Sequence, residues 1–96
     1  MATCLILAKY TQPGIQNIKA RARRAGRLRE RCAKHGCELK AGYLALGRCD
    51  TVLLTKAPGH DAIASVMLGA AMGGSATTET LCVFDEAEAN AIIAAV

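Results

Sequence analysis

The sequence predicts an α+β fold: one four-stranded antiparallel sheet, two helices on one of its faces, and a short helix at the end of the chain. Four short runs rich in Val, Leu, Ile and Thr are each bounded by turn residues. Two other stretches repeat their apolar residues every three or four positions, the spacing of a helix with one buried stripe. In chain order these runs give strand, helix, strand, strand, helix, strand.

Thr3 to Tyr10 is the first strand, ended by the turn residues Thr11-Gln12-Pro13-Gly14. A helix is expected over residues 13–35, capped by Thr11 or Gln12, with Pro13 in the first turn, where a missing N–H costs nothing. Ile15, Ile18, Ala22, Ala25, Leu28 and Cys32 form its buried stripe, and Gly36 stops it. Cys37 to Leu46 and Asp50 to Ala57 read as a hairpin joined through Gly47-Arg48 and closed by Pro58-Gly59. His60 or Asp61 opens a second helix carrying Ile63, Val66, Met67 and Ala70, which frays at Gly73-Gly74-Ser75. Ala76 to Phe84 is the last strand, and Glu86 to Val96 a short helix with its acids in the first turn, where the helix dipole favours them. This order is the split βαβ pattern of ferredoxin-like domains. With both helices on one face, the other face of the sheet is bare, and Leu and Val on it call for a cover. In dimeric α+β barrels that cover is the same face of a second subunit.

The 96 residues suit one domain, spanning 1–96, without repeat or linker. Its apolar share of 52% comes from Ala, Leu, Ile and Val, with Tyr10, Tyr43 and Phe84 the only aromatics, so a second subunit would add needed burial. No apolar run reaches the ~18 residues of a membrane span, and the N-terminus has no secretory pattern; a cytoplasmic protein is expected. The odd count of five cysteines argues against a disulfide framework. Charge is uneven. Residues 15–34 hold eight cations against Glu30, a segment charge of +7 that leaves −3 for the rest of a chain whose total is +4. A basic face and an acidic end suit self-association at least as well as nucleic acid.

Gly14-Ile15 with Asn17-Ile18-Lys19, Leu46-Gly47 followed by Asp50, Ala57-Pro58, and Thr78-Glu79-Thr80-Leu81 occur in an order that resembles the GYD-domain proteins, over nearly the whole chain from Tyr10 to Phe84. The resemblance implies the ferredoxin-like fold and self-association, and no established reaction. The family's Gly-x-Tyr-Asp motif has tyrosine before the aspartate, where this chain has Cys49.

Four sets of residues can carry chemistry. Arg48, Cys49 and Asp50 combine a thiol, a carboxylate and a cation at the hairpin, as nucleophile, base and anion partner. Alternatively Asp50 bonds backbone amides at the strand start and Cys49 fills space. Cys32, His35 and Cys37 form a C-x-x-H-x-C cluster at a helix end, able to converge on Zn²⁺ or Cu⁺ if a fourth ligand is supplied, or simply to pack there. Cys4 and Cys82 lie on neighbouring strands, as a disulfide, a two-coordinate Cu⁺ site or core. Among the cations, Lys19, Arg23, Arg24, Arg27, Arg31 and Lys34 map to an outward helix face, while Arg21 and Arg29 flank the apolar stripe. A cation beside a core calls for a carboxylate or an anionic ligand. Tyr43 and Thr80 are expected on the sheet's free face, and His60 beside Asp61 is a base or a helix cap.

The leading expectation is a homodimer, or a higher even-numbered oligomer, that binds a compact organic ligand between sheet and helices. Tyr43, Cys49, Asp50 and Thr80 would line the site, with Arg48 and His60 beside it. Fold analogy extends this to cofactor-free oxygenase, cyclase or isomerase chemistry; no cofactor is identified. The other expectations are metal or thiol handling by the cysteines, and a regulatory or assembly module whose basic helix meets nucleic acid or an acidic partner.

Overall fold

A computed structural model describes residues 2–96. Its elements are β1 (Ala2–Tyr10), α1 (Gln12–Gln16), a 3-10 turn (Ile18–Ala20), α2 (Arg21–Lys34), β2 (Glu38–Leu44), β3 (Thr51–Ala57), α3 (His60–Ala71), β4 (Ala76–Val83) and α4 (Glu86–Ala94). The strands form one antiparallel sheet in the order β2-β3-β1-β4, the expected ferredoxin-like topology.

The register sorts side chains by face. Cys4 pairs with Thr55 and Cys82, Ile6 with Leu53 and Thr80, Ala8 with Thr51 and Thr78. Since opposed residues share a face, these all lie on one side. There Cys4, Ile6 and Ala57 pack with Cys32, Cys37, Ile63, Val66 and Met67, so this is the face the helices cover. Ile6 and Val66 are wholly buried; truncating either to Ala costs about 2–5 kcal/mol. Thr55, the one deeply buried hydroxyl, donates to the Cys4 carbonyl at 3.1 Å and so escapes the penalty of an unpaired polar group.

The opposite face carries Leu5 and Leu7 of β1, Val52 and Leu54 of β3, Tyr43 of β2 and Leu81 of β4, with Lys9, Lys56, Glu38 and Glu79 around them. Neither α2 nor α3 reaches it. α4 does not cover it either: it is closed by an Asp85–Glu88 capping box, but Ile92, Ile93 and Val96 remain exposed. The radius of gyration is 14.3 Å, against about 12.5 Å for a compact domain of this length. The chain ends in an arm.

The expected helix over 13–35 is broken. Asn17 has φ −109° and ψ 33°, outside the helical region, and its side-chain amide donates to the Pro13 carbonyl at 3.0 Å, turning the chain into the 3-10 segment. The break resets the helical phase, so Ile15, Ile18 and Ala22 of the expected stripe are exposed, and only Ala25, Leu28 and Cys32 of it turn inward. Gly14 holds the first turn against the loop after α3. It is buried, Thr11 N–H donates to the Ser75 carbonyl at 3.0 Å, and a Cβ on Gly14 would strike that same carbonyl oxygen. Gly14→Ala should lower the unfolding free energy by about 2–3 kcal/mol, read as a shift of the urea midpoint without change of slope.

Candidate functional site

Between α2, α3 and the sheet lies a cleft of about 580 Å³, within the ~300–1,000 Å³ of small-molecule sites. Its floor is Leu28, Leu53, Ala25 and Met67; its rim carries Arg21, Arg24, Arg27, Arg29 and Arg31. Two of these cations are fixed. Arg21 Nε donates to Tyr10 Oη at 2.8 Å, and Tyr10 Oη lies 3.0 Å from Thr51 Oγ1, one hydroxyl donating to the other. Arg24 sits over the Tyr10 ring, 5.7 Å from its centroid, and donates to the Asn17 carbonyl at 3.0 Å and the Gly14 carbonyl at 3.4 Å. The Arg31 guanidinium lies across Gly69 of α3, in space that a Cβ there would take. Among the described residues the only ion pair is Lys40–Glu38, on exposed β2, so no carboxylate balances the cleft cations. Among the described residues no Asp, Glu, His or Cys lines the cleft.

The residues singled out in the sequence fall elsewhere, in several places. Asp50 is a backbone cap: its Oδ2 accepts the Tyr10 N–H at 2.8 Å, and its own N–H donates to the Ala8 carbonyl at 2.8 Å, tying the β2–β3 connection to β1. Arg48 and Cys49 edge a small hollow of about 180 Å³ with Leu7, Lys9, Thr77 and Glu79, on the uncovered side. Tyr43 stands exposed on that face at the β2 edge. Thr80, expected on the free face, is on the helix-covered side of edge strand β4. His60 is not the cap of α3, a place taken by Gly59; its Nε2 lies 3.2 Å from Cys82 Sγ. Arg21 and Arg29 do line the cleft. Arg24, Arg27 and Arg31, expected on the outward face, join them because each directly precedes a residue of the inward stripe, Ala25, Leu28 and Cys32.

Cys32, His35 and Cys37 are a helix stop. Gly36 adopts φ 71°, Gly36 N–H donates to the Ala33 carbonyl, and Cys37 N–H donates to the Cys32 carbonyl at 2.8 Å. This is the Schellman pattern, whose apolar contact joins the two residues that here are Cys32 and Cys37. Both thiols are buried while His35 is exposed, and among the described residues no three His, Cys, Asp or Glu side chains are placed to hold a metal.

The GYD domain profile matches residues 4–93. The chain belongs to the GYD-domain family. Among solved structures, TTHA0845 from Thermus thermophilus resembles it with a TM-score of 0.55 and 21% identity, covering 88% of this chain and 94% of that one. That likeness is one of fold. Among curated proteins none matches. Within the GYD-domain fold of this chain no helix is long and apolar enough to cross a membrane among the described residues.

A cleft role for Tyr10, Arg24, Arg27 and Arg31 is visible only in the folded chain. Its one sequence signal is Tyr10 in phase with Ile6 and Ala8, on the face that α2 covers. Burial pushes the Cys4, Cys32 and Cys37 thiols up, with neighbouring thiols adding to the effect on Cys4 and Cys32. The folded state thus keeps protons that the unfolded chain sheds once pH passes the ordinary thiol value of about 8.5. Stability from this source is complete below that pH and declines above it, until the folded thiols also ionise. Urea unfolding at about pH 7.5 and about pH 9.5 should show the loss, and replacing the three cysteines by Ala should reduce it.

Proposed function

We propose that this GYD-domain protein binds a compact organic anion in the arginine-rimmed cleft, and that it works as a pair of copies joined through the uncovered sheet face. The observation that carries the binding reading is a set of five guanidiniums around an apolar floor with no carboxylate among them. Cations gathered around one cleft repel one another, an arrangement that an anionic ligand relieves. Guanidinium forks suit a carboxylate or a phosphate, and the Leu28, Leu53 and Met67 floor suits an apolar body attached to it. Tyr10 and Thr51 add two hydroxyls at one end. The absence of a carboxylate, imidazole or thiol from the lining gives a reaction no evident base, so binding is the reading favoured over turnover.

Pairing is supported by the other side of the sheet. Leu5, Leu7, Val52, Leu54, Leu81 and Tyr43 make an apolar centre with charges of both signs around it, a self-complementary layout for a two-fold interface. The α4 arm, with Ile92, Ile93 and Val96 exposed, has apolar surface to place on a neighbour.

Two measurements check these readings separately. Native mass spectrometry of purified protein should show two copies and a retained small acid, and titration with benzoate and with inorganic phosphate should separate the two anion classes. Arg21→Gln and Arg31→Gln should each weaken binding by about 10–100-fold, the loss of one charge-assisted contact; unchanged affinity in both would remove the cleft as the site. Leu7→Glu, at the centre of the uncovered face, should give single copies in sedimentation velocity with the helical spectrum retained. A wild-type chain that sediments singly at high concentration would remove the pairing.

A further inference from the structure

At the end of the sheet away from the arginine cleft, thiols and an imidazole form a connected group. Cys4 of β1 and Cys82 of β4 are direct register partners on the helix-covered face. Antiparallel partners have Cα atoms about 4.5 or 5.5 Å apart, both inside the range a disulfide spans. The pairing makes the two residues neighbours, and burial above all, then Cys82, pushes the Cys4 thiol up. Cys4 is fully buried, whereas Cys82 is exposed on the edge strand. Cys82 Sγ lies 3.2 Å from His60 Nε2. His60 is the first residue of the twelve-residue α3, whose unsatisfied backbone N–H groups favour a negative charge beside them. One thiol is therefore open to solvent with a base in contact, and a second, sealed thiol lies next to it.

We infer that Cys82 is a peroxide-reactive thiol, activated by His60 and resolved by Cys4 into a reversible disulfide between β1 and β4. His60 Nε2 takes the Cys82 proton. The thiolate attacks one oxygen of a hydroperoxide, the O–O bond breaks as the S–O bond forms, and the imidazolium returns the proton to the departing oxygen, which leaves as an alcohol or water. Cys82 is then a sulfenic acid. The Cys4 sulfur attacks the Cys82 sulfur, the S–O bond breaks, and the hydroxyl leaves as water with the Cys4 proton. In sum, two thiols and one hydroperoxide give a disulfide, an alcohol and water, and an external dithiol reverses the change while being oxidised itself. Cys32 and Cys37 are held in the helix stop and are buried, so neither meets the oxidant. Cys82 lies on the helix side of the sheet, which leaves it accessible when two copies pair through the other face.

The test uses the full-length reduced chain and equimolar hydrogen peroxide. Intact mass should fall by about 2 Da, and digestion without reductant should yield one linked peptide pair, Cys4 with Cys82. Cys82→Ser should keep its mass. Cys4→Ala, a small apolar replacement suited to that core, should stop at the sulfenic acid and give a dimedone adduct on Cys82. His60→Gln should form the same disulfide about tenfold more slowly at neutral pH. An unchanged wild-type mass, a link between other cysteines or between two copies, or an undiminished rate in His60→Gln would overturn the inference. Should Cys4→Ala fail to fold, judged by its dichroism spectrum, peptide mapping of the wild type and Cys82→Ser still decide it.

Discussion

The alternation of side chains along β1 is the constraint on which the rest of this domain depends. β1 sits between β3 and β4, so each of its residues sets the facing of two neighbours. Cys4, Ile6, Ala8 and Tyr10 commit one face to α2 and α3; Thr3, Leu5, Leu7 and Lys9 commit the other to whatever lies outside the chain. A slip of one residue would exchange the two sets, placing Leu5 and Leu7 under the helices and the Lys9 ammonium beside Arg21. The thiol end, the arginine cleft and the uncovered face are all consequences of one strand's parity.

Much of the fold was legible in the sequence because that parity is written in short strands with clear stops. Pro58-Gly59 and Gly36 end elements where they stand, and the order of elements leaves few topologies. What escaped was helical phase. A stripe counted from Ile15 assumes an unbroken helix, but the chain leaves the helix at Asn17, whose side-chain amide joins its own N–H on the Pro13 carbonyl, and the count restarts at Arg21. Arg24, Arg27 and Arg31 reach the cleft rim for another reason: each stands beside a residue of the inward stripe, Ala25, Leu28 and Cys32. The candidate site suffered from the same kind of local reading. Asp50 is a reactive-looking side chain whose partner, the Tyr10 N–H, lies forty residues away and cannot be seen from the hairpin itself. Cys32 and Cys37 looked like ligands by spacing, yet that spacing is what a Schellman stop requires of the two residues that touch across it.

The cleft makes physical sense only with its charge considered as a whole. α2 carries its cations around an apolar floor, and the acids of the chain lie mostly beyond β3: Asp85, Glu86 and Glu88 sit at the start of the α4 arm, where Asp85 and Glu88 cap that helix and Glu86 lies in its first turn. Arg24 discharges part of its field on the carbonyls of Gly14 and Asn17, which end α1 and carry its negative pole. Arg21 is held by a neutral hydroxyl pair, which orients it without cancelling its charge. Arg21 and Arg24 are thus oriented while no carboxylate among the described residues pairs with them.

Residues of one chemical type take on different roles here according to depth. Cys4, Cys32 and Cys37 are in the core, where burial holds them protonated and away from solvent and they pack as small apolar side chains. Cys82 occupies the same face, but on the edge strand, where no further strand shields it. The β1–β4 register sets it against Cys4, and the start of α3 sets it against His60. Along β1 the thiol end and the Tyr10 end are six residues apart, about 20 Å of extended chain. A covalent link at the first can act on the second through β1, through β4, whose Ala76 and Thr78 line the cleft, or through α3, which touches Cys82 at its start and borders the arginine cleft at its end. Of these, α3 is the helix in contact with both ends of the sheet, seated on the core through Ile63, Val66 and Met67.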